Sequence, residues 1–126
     1  DVDGAEVRSL DALKVNAFAV RTLARAARSL GAALVQFSSD FVFDGSAREP
    51  MDEERPPNPR SAYAASKLLG EWFAADAPAC YVLRVESLFG AATGATPKGR
   101  LEAIVQRLRA GEVARVFSDR TVSPTY

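Results

Sequence analysis

The stretch "LVQFSSDFVFDG", Leu34 to Gly45, begins as a short apolar strand and stops on Ser38, Ser39 and Asp40. A buried strand that ends this way sets hydroxyls and a carboxylate at the rim of a sheet. Its neighbours in sequence say what kind of sheet. Upstream, "LDALKVNAFAVRTLARAARSL" carries Leu13, Ala17, Val20, Leu23, Ala24 and Ala27 at helical spacing over Leu10 to Leu30, and Gly31 follows as a stop signal. Downstream, "DGSAREPMDEERPPNPRS" is dense in Pro, Gly and charge and reads as a long surface connection, of a length that usually serves function. The pattern then predicts a second helix from about Pro59 to Asp76, capped by Asn58 or Ser61 and packing through Ala65, Leu69, Trp72 and Phe73. "CYVLRV" is a second strand. After "FGAATGATPKG" come a third helix, Arg100 to Ala110, and a third strand, Val113 to Phe117.

The order α-β-α-β-α-β implies parallel strands joined by right-handed crossovers. The expected fold class is therefore α/β, a Rossmann-like parallel sheet with flanking helices. All strands of such a sheet end on one edge, and ligands bind beyond those ends. Three polar clusters fall there: Ser38, Ser39 and Asp40; Glu86 and Ser87; Ser118 and Asp119.

Composition narrows the chemistry. With 126 residues, 48% of them hydrophobic, the chain suits one modest core. Sixteen basic and sixteen acidic side chains cancel, and the longest like-charge run is Asp52 to Glu54, so no footprint for nucleic acid or an anionic membrane is visible. The lone Cys80 has no disulfide partner, and no leader or spanning segment is evident, which points to a reducing, cytoplasmic setting. Cys80, at the start of an apolar strand, reads as packing rather than chemistry. There is no histidine, so Ser-His-Asp and Cys-His catalysis are excluded. Proton chemistry must use Tyr, Lys, Asp or Glu.

"YAASK" supplies the first two of these, because Tyr63 and Lys67, four residues apart, share one face of a helix. A tyrosine ionises near pH 10 in water, and a neighbouring ammonium favours the phenolate and makes the phenol a usable acid. A serine hydroxyl at the strand end can give a second hydrogen bond to a carbonyl oxygen as negative charge develops on it. Ser39, Tyr63 and Lys67 form the candidate trio.

"SSDFVFDG", the Pro-rich loop and "YAASKLLGE" together resemble the Ser/Thr-Asp-Tyr-Val-Phe-Asp-Gly and Tyr-x-x-x-Lys-x-x-Gly-Glu blocks of the dTDP-4-dehydrorhamnose reductase family, within the extended short-chain dehydrogenase/reductases. "VNAFAVRTLARAA", "YVLRVESLFG" and "DRTVSPTY" resemble further ordered blocks of that family. The resemblance implies a catalytic hydroxyl at Ser39, a proton-donating acid at Tyr63, and at Lys67 a residue that lowers the tyrosine pKa and holds the nicotinamide ribose. It sets Asp40 facing the substrate sugar and Asn16 near the active site, although a satisfied polar contact explains Asn16 equally well. It further implies NADPH or NADH as cofactor and a nucleotide-sugar substrate in dTDP-rhamnose-type biosynthesis, with no nucleic-acid or membrane partner; a homo-oligomer stays open.

The sequence departs from the family at two places. Arg84-Val85-Glu86-Ser87 stands where Arg-Thr-Ser-Trp is common, removing an aromatic surface for the sugar, and Val122 replaces a glycine. No Gly-x-x-Gly-x-x-Gly turn is present, so residues 1–126 read as a single partial NAD(P)-binding domain lacking the N-terminal glycine-rich βαβ unit. "GAATGATPKGR" lacks the Gly-Lys-Ser/Thr order of a phosphate loop and reads as a flexible loop near the cleft. Two other readings stay open: a non-catalytic regulatory subunit resembling that of methionine adenosyltransferase, and a sugar-nucleotide epimerase or dehydratase.

Overall fold

The computed structural model describes residues 2–86, 88 and 100–118. The chain divides into two compact units, residues 1–84 and 85–126. In the first unit, α1 (Val2–Val7), α2 (Ser9–Leu13), a π-turn (Lys14–Phe18) and α3 (Ala19–Leu30) follow one another, then β1 (Ala33–Ser39), a 3-10 turn (Asp40–Val42), α4 (Ala62–Ala74) and β2 (Ala79–Val85). The first helical run thus begins well before Leu10, where polar Asp3 and Glu6 hide the apolar signal of Ala5. β1 and β2 pair as a two-stranded parallel sheet with helices beside it, the α/β arrangement expected.

Local chemistry sets the boundaries. Gly31 ends α3 in the left-handed conformation, φ 64°, and the backbone N–H of Ala32 closes the end on the carbonyl of Ala27 at 2.9 Å. Ser61 caps α4 by accepting the N–H of Ala64 at 3.1 Å. Asn58, the alternative cap, instead donates its side-chain amide to Asp44.

Small residues decide the packing. Ala24, Ala27 and Ala77 form a buried cluster against which Leu34 and Cys80 pack, and burial pushes the Cys80 thiol upward. α4 packs on the π-turn, β1, α3 and α2 through Ala64, Ser66, Leu68, Gly70, Glu71 and Ala74. The expected face is therefore corrected: Ala65 and Trp72 are exposed, and Leu69 and Phe73 only half-buried. Leu23 on α3 is likewise exposed. The reason is close approach. A Cβ added at Gly70 would stand 2.2 Å from the backbone oxygen of Asn16, so α4 can approach the π-turn only through its small residues.

The second unit contains α5 (Arg100–Arg109), closed by Gly111 at φ 73° and by the N–H of Glu112 on the carbonyl of Arg107. The strand expected at Val113–Phe117 is corrected: these residues form no ladder. An extended apolar run becomes a strand only when a neighbouring segment pairs with it in a ladder, and no ladder runs over 113–117 among the described residues. No helix of the described residues is long and apolar enough to cross a membrane.

Candidate active site

β1 delivers Ser39 in extended conformation at the point where the chain enters the 3-10 turn. Its Oγ accepts the backbone N–H of Phe41 at 3.2 Å and donates to Oδ1 of Asp40 at 3.0 Å. A short hydroxyl side chain commonly caps a turn this way, and both bonds fix its rotamer. Ser39 is buried and Asp40 half-buried.

Tyr63 and Lys67 occupy adjacent turns of α4, and both are half-buried. The Tyr63 ring meets Phe41 edge-on, with centroids 6.0 Å apart and planes at 88°. The Lys67 ammonium donates to the carbonyl oxygen of Phe37. Phe37 and Phe41 lie two residues before and after Ser39, so the strand end is held to α4 on both sides of that serine. Tyr63 and Lys67 thus meet the residues that flank Ser39 and Asp40. Burial pushes the Lys67 pKa below its ordinary 10.5, and the negative charge of Glu71 opposes that shift.

Glu71 closes the Tyr-x-x-x-Lys-x-x-Gly-Glu block but carried no role in the sequence reading. It is buried, accepts a hydrogen bond from the Ser38 hydroxyl, and receives Nε of Arg84 at 3.1 Å on Oε1 and a second guanidinium nitrogen at 2.8 Å on Oε2. That fork-on-carboxylate pair ties α4 to β2, and Ser38 ties it to β1. The hydrogen bonds that Arg84 donates to Glu71, then the Glu71 charge, raise the Arg84 pKa against the effect of burial. Arg84 also lies over the Phe43 ring, 5.0 Å from its centroid. The signal available in sequence was the Gly-Glu end of the "YAASKLLGE" block, an acidic residue eight positions after Tyr63 among residues that otherwise pack.

Asn16 sits in the π-turn and donates its side-chain amide to Ser66 Oγ at 3.0 Å. Ser66, fully buried, donates its own hydroxyl hydrogen bond to the carbonyl of Tyr63 at 2.7 Å. Asn16 therefore reaches the first turn of α4 through a side chain rather than through backbone alone. Beside it a cleft of about 210 Å³ is lined by Gly4, Ala5, Arg8, Asp11, Asn16 and Tyr63, among others.

The long connection is closed at its base. Asn58 N–H donates to the Val42 carbonyl at 2.8 Å, and Asp44 accepts from Ser46 and from the Asn58 side chain, with Arg60 at 3.7 Å. The hydrogen bonds from Ser46, then that from Asn58 and the Arg60 charge, hold the Asp44 carboxyl well below the usual carboxylate range. Of the other strand-end clusters, Glu86 follows β2 and Ser118 lies just after the 113–117 segment, whereas Ser87, Asp119, the glycine-rich loop 90–99 and residues 120–126 lie outside the described residues.

Comparison with known proteins gives the chain a family. A dTDP-4-dehydrorhamnose reductase of Mycobacterium tuberculosis is 41% identical over 135 residues, covering 100% of this chain and 42% of its own length. A crystal structure of a dTDP-4-dehydrorhamnose reductase from Clostridium acetobutylicum superposes with a TM-score of 0.77 at 38% identity, over 86% of this chain and 38% of that one. One from Bacillus anthracis, solved in complex with NADP, gives 0.78 at 31% identity, over 87% and 38%. The chain thus spans well under half the length of these relatives. The family model of the RmlD substrate binding domain matches residues 1–126, and the chain belongs to that family.

Proposed function

We propose that the protein carrying this chain is an NAD(P)H-dependent oxidoreductase that reduces the keto group of a nucleotide-linked deoxysugar, with Ser39, Tyr63 and Lys67 as its catalytic residues. The observation that carries this reading is the double attachment of the strand end to α4, Phe37 to Lys67 and Phe41 to Tyr63, with Ser39 between. Family membership and the NADP-bound relative support it.

In this reading the phenol of Tyr63 gives its proton to the substrate oxygen. Ser39, turning its hydroxyl from Asp40 toward that oxygen, stabilises the charge developing there, and Asp40 faces the sugar. Lys67 has the donors to hold a ribose: an ammonium carries three, and one is engaged by Phe37. A reduced nicotinamide, when bound, would supply the hydride. Residues 1–126 form part of one NAD(P)-binding domain, whose phosphate-binding turn lies elsewhere in the full protein. The setting is cytoplasmic and the partner a small nucleotide sugar.

The test uses the full-length protein and follows oxidation of NADPH and NADH against a panel of keto nucleotide sugars. Tyr63→Phe keeps the ring and removes the proton, so the rate should fall about 10²- to 10⁴-fold with cofactor affinity retained. Lys67→Ala should lower both rate and cofactor affinity. Tyr63→Phe turning over as fast as wild type would end this mechanism. Wild type that binds cofactor and a protein partner but oxidises nothing in the panel would favour the regulatory-subunit reading instead.

A further inference from the structure

We propose that Glu71 is a positioning residue for Lys67: a buried anion one helical turn on, fixed from β1 and β2, that favours the charged ammonium whose hydrogen bond the Phe37 carbonyl accepts. The inference deepens the reading above and rests on it for the catalytic importance of Lys67.

Tyr63, Lys67 and Glu71 follow at four-residue intervals and so form one row along α4. The last member cannot swing away, because Ser38 and both guanidinium contacts from Arg84 hold its two oxygens. Glu71 is only 7% exposed, so its charge acts through little water. Lys67 is itself half-buried, an environment that disfavours an ammonium unless an anion compensates.

The other charged groups on elements packed against α4 are engaged elsewhere. Glu6 of α1 accepts the N–H of Tyr63, Asp11 and Lys14 pair with each other at 3.1 Å, and Asp40 of the 3-10 turn accepts from Ser39. On α3, Arg21 lies over Phe73 and Arg28 donates to the Asp76 carbonyl, while Arg25, like Asp3 on α1, is exposed. Arg84, the one cation on β2, bonds Glu71 directly and therefore moderates the field that Glu71 exerts on Lys67.

This geometry makes a prediction with opposite signs. In the full-length protein, the titration of Lys67 is followed by 13Cε NMR of labelled lysine, assigned with Lys67→Arg. Glu71→Gln removes the anion and leaves Arg84, so Lys67 should titrate at lower pH, by about one unit. Arg84→Gln leaves the anion without its cation, so Lys67 should titrate at higher pH. The alkaline limb of kcat/KM should move with the NMR value in each variant. A merely structural role would move neither value, or both in one direction, and either result overturns the inference. If Glu71→Gln does not fold, Arg84→Gln decides alone: an upward shift supports the inference and none overturns it. The NMR titration needs no turnover, so a wild type inactive toward every sugar would remove the reductase reading while leaving the Glu71–Lys67 result to stand by itself.

Discussion

Lys67 shows at the scale of one residue how the site opposes stability. Its pKa lies below 10.5 because burial penalises the charged form, with Glu71 offsetting part of that penalty. The unfolded chain therefore holds the proton more tightly than the folded one, and stability rises with pH between the folded pKa and 10.5. Lys67→Met, which keeps the stem and removes the charge, should raise the melting temperature of the full-length protein at pH 7 while abolishing turnover. The gain should vanish as pH climbs through that window. Thermal unfolding of both proteins at pH 7 and pH 11 checks it, and a gain that persists unchanged at the higher pH would contradict the assigned cause.

Among elements, α4 and the closed loop before it carry distinct expectations. Gly70 lets α4 approach the π-turn, since a Cβ would meet the Asn16 backbone oxygen at 2.2 Å. Gly70→Ala gains helix propensity but must displace that backbone, so a net loss of about 1–3 kcal/mol is expected in denaturant unfolding. A gain in stability would mean that the two elements do not pack this closely. The loop depends on Asp44, whose carboxyl is held below the usual range by Ser46, Asn58 and Arg60. A depressed carboxylate pKa stabilises the fold above the ordinary value of 3.8 and loses that contribution as pH falls below it. Asp44→Ala should thus speed amide hydrogen exchange and proteolysis between residues 45 and 60 at pH 7, whereas at pH 3 the difference from wild type should shrink.

For the whole molecule, the sheet face carrying Val35, Phe37, Tyr81 and Leu83 is exposed in the first unit, although parallel sheets are normally covered on both faces. The chain also covers only 42% of the length of a relative. Residues 1–126 alone should bind NAD(P)H negligibly, because a pyrophosphate needs a helix N-terminus with a glycine turn and the sequence contains no such motif. Calorimetric titration of the isolated chain and the full-length protein checks this; tight saturable binding by the chain alone would refute it.

The strand-then-serine pattern of Leu34 to Asp40, the four-residue spacing of Tyr63 and Lys67, and the stop at Gly31 were legible without coordinates, because each rests on local chemistry: alternation, helical period, and a left-handed cap that glycine adopts freely. Those local rules gave the bodies of α3, α4, β1 and β2, but neither the helical start at Val2 nor the packing that brings the β1 end against α4. Tertiary structure alone decided which face of α4 is buried, since Gly70 and Ser66 exert no hydrophobic signal until another backbone comes within reach of them. It alone joined Glu71 to Arg84 and Ser38, because partners separated by 13 and 33 positions meet only after the crossover has laid β2 beside β1. It also left Val113 to Phe117 without a ladder, for a strand is a property of two chain segments and cannot be read from one.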